Sequence, residues 1–154
     1  RRGRKGCFKI SRKSWGKIME ITDKTEYLEY YGGAAKKCPT EKIEHINCVS
    51  WLKHNHPDYL FFHPVNEGLK HKASAVMDAQ MGLLKGVSDF VILIGLGGKY
   101  PFAAIELKRQ GKAQASPVSK EQREFLAAVR RRGGFAAVAY GFEQFKIAFC
   151  DAIK

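Results

Sequence analysis

From Glu41 onward the apolar residues fall at helical steps, with Ile43, Ile46 and Val49 three apart and Leu52 continuing the stripe. Thr40 offers an N-cap hydroxyl, and His56-Pro57-Asp58 ends the helix. Tyr59-Leu60-Phe61-Phe62 is short, aromatic and strand-like, and Pro64 stops it. A second helical window covers 70–85, carrying Ala73, Val76, Met77, Leu83 and Leu84 as far as Gly86. Phe90-Val91-Ile92-Leu93-Ile94 has the continuous β-branched character of a strand covered on both faces. Gly95-Leu96-Gly97-Gly98 is a turn cluster, and Phe102-Ala103-Ala104-Ile105 restarts a strand. After a polar loop from Gln110 to Val118, Ser119-x-x-Gln122 reads as a capping box. The helix it opens carries Phe125, Leu126 and Val129 to Gly133-Gly134. Phe135 to Tyr140 is another buried strand, and Phe142 to Ile153 a closing helix. Residues 1–40 show no clean period. This order predicts an α/β fold with a mixed central sheet flanked by helices. It divides the chain into an N-terminal basic extension, 1–40, and a folded domain, 41–154.

Composition narrows the class. The 154 residues are 45% apolar and 27% charged, a globular balance long enough for one core. Lysine and arginine outnumber the acids 27 to 15, for a net charge of +12. Residues 1–17 hold eight of these basic side chains and no acid, a head that would attract a polyanion. No apolar run reaches the ~18 residues of a membrane span, and the basic start lacks the apolar stretch of a secretion signal. The scattered cysteines Cys7, Cys38, Cys48 and Cys150 then read as reduced thiols of a cytoplasmic protein, or of a host cytoplasm or nucleoid if viral.

The chemistry concentrates in Gly86-Val87-Ser88-Asp89 and Ala104-Ile105-Glu106-Leu107-Lys108. Strand side chains alternate, so Glu106 and Lys108 share one face while Ile105 and Leu107 take the other. A two-residue turn at Gly97-Gly98 would set Asp89 directly opposite Glu106. Opposed residues in an antiparallel pair are only ~4.5–5.5 Å apart at Cα. Two carboxylates so placed repel unless a cation sits between them, and oxygen ligands suit Mg²⁺ or Mn²⁺. Lys108 would flank that ion, where it could orient a water or neutralise phosphate charge. An acid and a lysine two apart on a strand are more often a solvated face. The apolar flanks and the second acid tip the balance towards a metal site.

These segments, with the basic loop and Ser119-Lys120-Glu121-Gln122, resemble the VRR-NUC family of the PD-(D/E)XK nuclease superfamily. The resemblance runs from about Glu41 to Phe149 and implies a restriction-endonuclease-like fold. It implies that Asp89, Glu106 and Lys108 form a metal-dependent hydrolytic core, with Gln122 beside it. An upstream helix supplies a glutamate that matches Glu41, with Glu44 a second possibility. The metal would be held by Glu41, Asp89, Glu106 and the backbone carbonyl of Leu107. Proline often precedes the aspartate in the family, where this chain has Ser88. A Pro-Asn-Gly segment corresponds to Pro64-Val65-Asn66-Glu67-Gly68. Residues 1–40 have no counterpart. The implied activity is that of an Mg²⁺- or Mn²⁺-dependent endonuclease on DNA, a homodimer acting on branched DNA such as four-way junctions. A non-catalytic nucleic-acid-binding module and an RNA nuclease on the same fold remain the alternatives.

Other signals carry less. His54-Asn55-His56 spells HNH but is contiguous at a helix end, unlike the dispersed residues of an HNH nuclease. His45, His63 and His71 show no zinc-ligand spacing and pair with no nearby cysteine couple. Gln122 as the third residue of a capping box needs no catalytic explanation. Arg109, Lys112, Lys120 and Arg123 cluster after the acidic pair, where phosphates would approach, while Arg130-Arg131-Arg132 suits a helix C-terminus. Met77, Met81, Leu83 and Leu84 exceed one narrow stripe, and suit core packing or a self-complementary dimer patch.

Overall fold

In the computed structural model, which describes residues 9–14, 17–33, 37–64 and 72–154, the hairpin has the predicted register. Phe90 pairs with Ile105, Val91 with Ala104, Ile92 with Ala103 and Leu93 with Phe102. Its turn is looser than expected. The N–H groups of Ile94 and Gly95 both donate to the Pro101 carbonyl, at 2.9 and 3.0 Å, and no ladder continues beyond. Pro101 has no N–H to return, so the pairing opens there into a loop instead of reaching Gly97-Gly98.

The described elements are β1 (Lys9–Ser14), β2 (Lys17–Asp23), β3 (Leu28–Tyr31), α1 (Glu41–Asn55), β4 (Leu60–Phe62) and α2 (Lys72–Gln80), followed by β5 (Phe90–Leu93), β6 (Phe102–Lys108), α3 (Lys120–Arg131), β7 (Phe135–Tyr140) and α4 (Phe142–Ala152). One sheet joins all seven strands in the order β1-β2-β3-β7-β6-β5-β4. Pairing is parallel at β3–β7 and β7–β6 and antiparallel elsewhere, so the sheet is mixed as expected. Within the stretch read as an extension, Lys9–Ser14, Lys17–Asp23 and Leu28–Tyr31 form three strands of this same sheet. Residues 1–8 and 15–16 of the basic head, the segment 65–68 and His71 lie outside the described residues.

Helices cover both faces. α1 and α4 pack Cys48, Leu52, Phe145 and Phe149 on Ile105, Leu107, Ala137 and Ala139. α3 packs Leu126 and Val129 on Ala104, Ala136 and Val138. Alternation along β6 therefore sends Glu106 and Lys108 towards the α3 side.

Three expectations change. The buried face of α1 is Glu44, Cys48 and Leu52, whereas Ile43 and Ile46 are exposed. Spacing by three drifts around a helix of 3.6 residues per turn, and the stripe at steps of four is the one that faces the sheet. β5 is covered on one face only: Phe90 and Ile92 are buried, Val91 is half-buried and Leu93 is exposed. α2 is shorter than its window, and Val76, Met77, Met81, Leu83 and Leu84 are exposed rather than in the core.

Candidate active site

The end of β6 delivers an acid and a lysine into the protein interior. Glu106 and Lys108 are each 3% exposed, and Lys108 Nζ lies 2.9 Å from Glu106 Oε1. The first turn of α3 closes over them. Ser119 accepts from the Gln122 N–H at 3.2 Å, and Gln122 Oε1 accepts from the Ser119 N–H at 2.9 Å, forming the predicted capping box. The same Gln122 donates through Nε2 to Glu106 Oε1 and accepts from Lys108 Nζ at 3.4 Å. Capping and site contact are thus one arrangement: the cap fixes the rotamer that reaches the pair. Lys108 Nζ also donates to Ser116 Oγ at 3.3 Å, a contact that no spacing in the sequence announced.

Asp89 enters from the start of β5. Its Oδ2 accepts the Leu107 N–H at 2.9 Å, standing in for a strand partner where the β5–β6 ladder has ended. N–H and C=O of a strand residue point to the same side, so the Leu107 carbonyl faces the Asp89 side as well. Gly86 makes this approach possible. At φ +74° it lies so close to α3 that a Cβ would meet Glu121 C at 2.4 Å and Gln122 N at 2.6 Å. Only glycine tolerates both the conformation and the contact.

Glu41 is the first residue of α1 and faces the same group of charges. Burial raises its carboxyl above the ordinary value; Lys108 opposes and Asp89 reinforces that shift. The helix start is tied down by Arg109, whose Nε and Nη2 donate to the Pro39 and Cys38 carbonyls at 3.2 and 3.3 Å. Glu44 has another task. It is buried and accepts the Phe142 N–H at 2.8 Å, capping α4, whose own N-cap, Gly141, offers no side chain.

The electrostatics are lopsided. Burial pushes the Glu106 carboxyl up to about 7, Asp89 adds to the shift, and Lys108 only partly offsets it. Among the described residues, Glu106 Oε2 is buried without a hydrogen-bond partner. A carboxylate oxygen left bare beside two further acids is a costly arrangement for the protein alone. It fits a divalent cation: hard oxygen donors, excess negative charge and an oxygen whose lone pairs are unused among the described residues.

Sequence reasoning missed two histidines. His45 on α1 and His63 after β4 come together with Asp89, their ligand atoms all within 4.8 Å of one another. They are eighteen residues apart in the chain, so no local spacing could reveal them; the fold assembles them. His54 and His56 do not join this group, and His56 instead packs on the Phe149 ring at 4.6 Å.

The four basic residues expected at the phosphate approach divide. Arg109 is occupied as described, and Lys112 Nζ lies 2.7 Å from Glu29 Oε1. Arg123 donates to the Val118 carbonyl at 3.0 Å yet stays exposed, and Lys120 is exposed with Glu124 at 3.7 Å. Lys120 and Arg123 thus keep charge available to solvent beside the site.

Comparison with known proteins bears on the fold and the family. A solved structure of a VRR_NUC domain protein superposes with a TM-score of 0.62 at 24% identity, covering 76% of this chain and 90% of that one. With the mixed, helix-flanked sheet, that likeness gives a restriction-endonuclease-like α/β fold. No curated protein matches the chain. The VRR-NUC domain matches residues 40–143, two thirds of the length, with Glu41, Asp89, Glu106, Lys108 and Gln122 all inside it. The chain belongs to the VRR-NUC family, a family of nuclease-associated domains.

Proposed function

We propose that this chain is a divalent-metal-dependent endonuclease that hydrolyses DNA phosphodiester bonds. The observation that carries the reading is the bare, buried Glu106 Oε2 within reach of the Asp89 and Glu41 charges. Asp89, Glu106 and the Leu107 carbonyl would hold Mg²⁺ or Mn²⁺, with Glu41 at its margin. When bound, such an ion polarises a phosphate oxygen and makes water a better nucleophile near neutral pH.

The chain's own groups do the rest. Lys108 presents an ammonium whose three donors reach Glu106, Gln122 and Ser116. Exchanging one of these contacts for a water or a phosphate oxygen places positive charge where negative charge develops in the transition state. Gln122 keeps Glu106 and Lys108 in register, and the capped α3 N-terminus adds a favourable dipole for an anion. Lys120 and Arg123 supply phosphate contacts that carry no sequence information.

A second observation supports the substrate form. Val76, Met77, Met81, Leu83 and Leu84 are exposed together in and just after α2. A self-complementary pairing there would give a homodimer with two equivalent sites, suited to cutting two strands of a four-way junction. Cleavage of linear duplex, junction and matched RNA, with Mg²⁺, Mn²⁺ or a chelator, tests the whole reading. Metal-dependent cutting of DNA that vanishes in Asp89→Asn and Glu106→Gln is expected, with sedimentation showing a dimer on the junction. Binding without cleavage would overturn it in favour of a non-catalytic module, and RNA-only cutting would reassign the substrate.

A further inference from the structure

The histidines beside Asp89 have no part in the reaction just described, yet they are built for one kind of ligand. His45 lies one helical turn after Glu41 on the same face of α1. Its ring stacks on the buried Phe90 ring at 4.4 Å and meets the His63 ring edge-on at 4.5 Å. His63 follows the last residue of β4, where the β4–β5 register carries it alongside Phe90. Its Nδ1 lies 2.8 Å from the Asp89 backbone oxygen. A carbonyl can only accept, so Nδ1 carries the proton and Nε2 keeps its lone pair. This is how metal-binding histidines are held, with one ring nitrogen anchored and the other free. The Asp89 carboxylate completes the group, its ligand oxygen within 4.8 Å of both imidazole nitrogens.

We infer that His45, His63 and Asp89 form a second metal site, selective for a divalent first-row transition ion such as Mn²⁺ or Zn²⁺ over Mg²⁺. Two imidazoles and one carboxylate suit such ions, whereas Mg²⁺ prefers oxygen alone. Asp89 then serves two neighbouring ions, one on the oxygen-rich side with Glu106 and one on the imidazole side. That bridging role rests on the function proposed above; the imidazole pair does not. The arrangement predicts a chain whose oxygen site takes either ion while its second site fills only with the softer one.

Equilibrium binding of Mn²⁺ to the full chain, followed by electron paramagnetic resonance without nucleic acid, tests this. Two classes of site are expected, and excess Mg²⁺ should displace only one. Pulsed spectra of the Mg²⁺-resistant Mn²⁺ should show couplings to imidazole nitrogen, a readout that needs no variant. His63→Gln and His45→Ala should each weaken the resistant class about tenfold or more while sparing the other. Glu106→Gln should do the reverse. A single Mn²⁺ class without nitrogen couplings, unchanged in the histidine variants, would overturn the second site. Loss of only the Mg²⁺-displaceable class from the wild-type expectation would instead count against the catalytic reading and leave the imidazole site standing.

Discussion

Two buried glutamates face each other across β7. Glu29 on β3 and Glu106 on β6 both pair with Val138, so they sit at the same level of the sheet, two strands apart. Each holds a lysine: Lys112 Nζ is 2.7 Å from Glu29, and Lys108 Nζ is 2.9 Å from Glu106. Their surroundings diverge. Glu29 has a second lysine, Lys24, at 3.7 Å, and the Lys112 ammonium lies over the Tyr31 and Tyr140 rings at 4.4 and 4.9 Å. Glu106 has further acids instead, and an oxygen with no hydrogen-bond partner among the described residues. The first cluster is neutralised from within; the second is left with surplus negative charge. An acid beside a lysine therefore says little about chemistry. What marks a site is the charge the protein leaves uncompensated.

That contrast can be broken most sharply by removing the acids. Glu106→Gln should cut single-turnover DNA cleavage by at least about 10²-fold, whereas Glu29→Gln should leave it within about twofold and lower the melting temperature instead. Equal losses in the two variants would erase the distinction. The lysines come next. Lys108→Ala should reduce turnover by roughly 10²-fold with metal affinity unchanged or tighter, because an ammonium repels the ion it flanks. A drop in metal affinity alone, seen by titration calorimetry, would contradict that role.

Acidity gives a handle on the Glu106 cluster in the metal-free protein. The folded chain keeps the Glu106 proton up to about pH 7, while the unfolded chain releases it near the ordinary value of 4.5. Between these values the folded state binds more protons than the unfolded state, so stability must fall as pH rises. The loss should appear across this interval in denaturant titrations, and Glu106→Gln should flatten it. The smallest effect belongs to the half-exposed partners of Glu29. Lys112→Ala should cost about 0.5–1 kcal/mol and Lys24→Ala less, both weakening in salt, as chemical denaturation at two ionic strengths would show.

Most of the domain after residue 40 was legible because local rules and the fold agree there. Thr40 and Ser119 cap where their hydroxyls predict. The hairpin register followed from alternation and a glycine-rich turn, although Pro101 opened that turn early. The upstream acid was ambiguous between Glu41 and Glu44 because both lie in the first turn of α1. The packing of α4 gives Glu44 a structural partner in the Phe142 N–H, which favours Glu41 for the role proposed above. Long-range geometry hid the rest. No pattern links His45 to His63, and Ser116 lies in a loop of unremarkable polarity. Strands β1 and β2 are legible only through their pairing. In Lys9–Ser14 and Lys17–Asp23, polar and apolar residues do not alternate strictly, so period two is blurred.

The parallel contact between β3 and β7 has a practical consequence for anyone cutting this chain to its family match, which begins at residue 40. Such a fragment would lose β3, and Phe135–Tyr140, a strand buried at every position, would border the sheet with one row of backbone donors and acceptors bare. It would also lose the Cys38 and Pro39 carbonyls that Arg109 grips to seat Glu41, and leave Lys112 without Glu29. Phe-Ala-Ala-Val-Ala-Tyr carries no charge and no proline, which are the usual brakes on strand-to-strand association between molecules. A truncated protein that precipitates would therefore report an open seam in the sheet and say nothing about the competence of its acids.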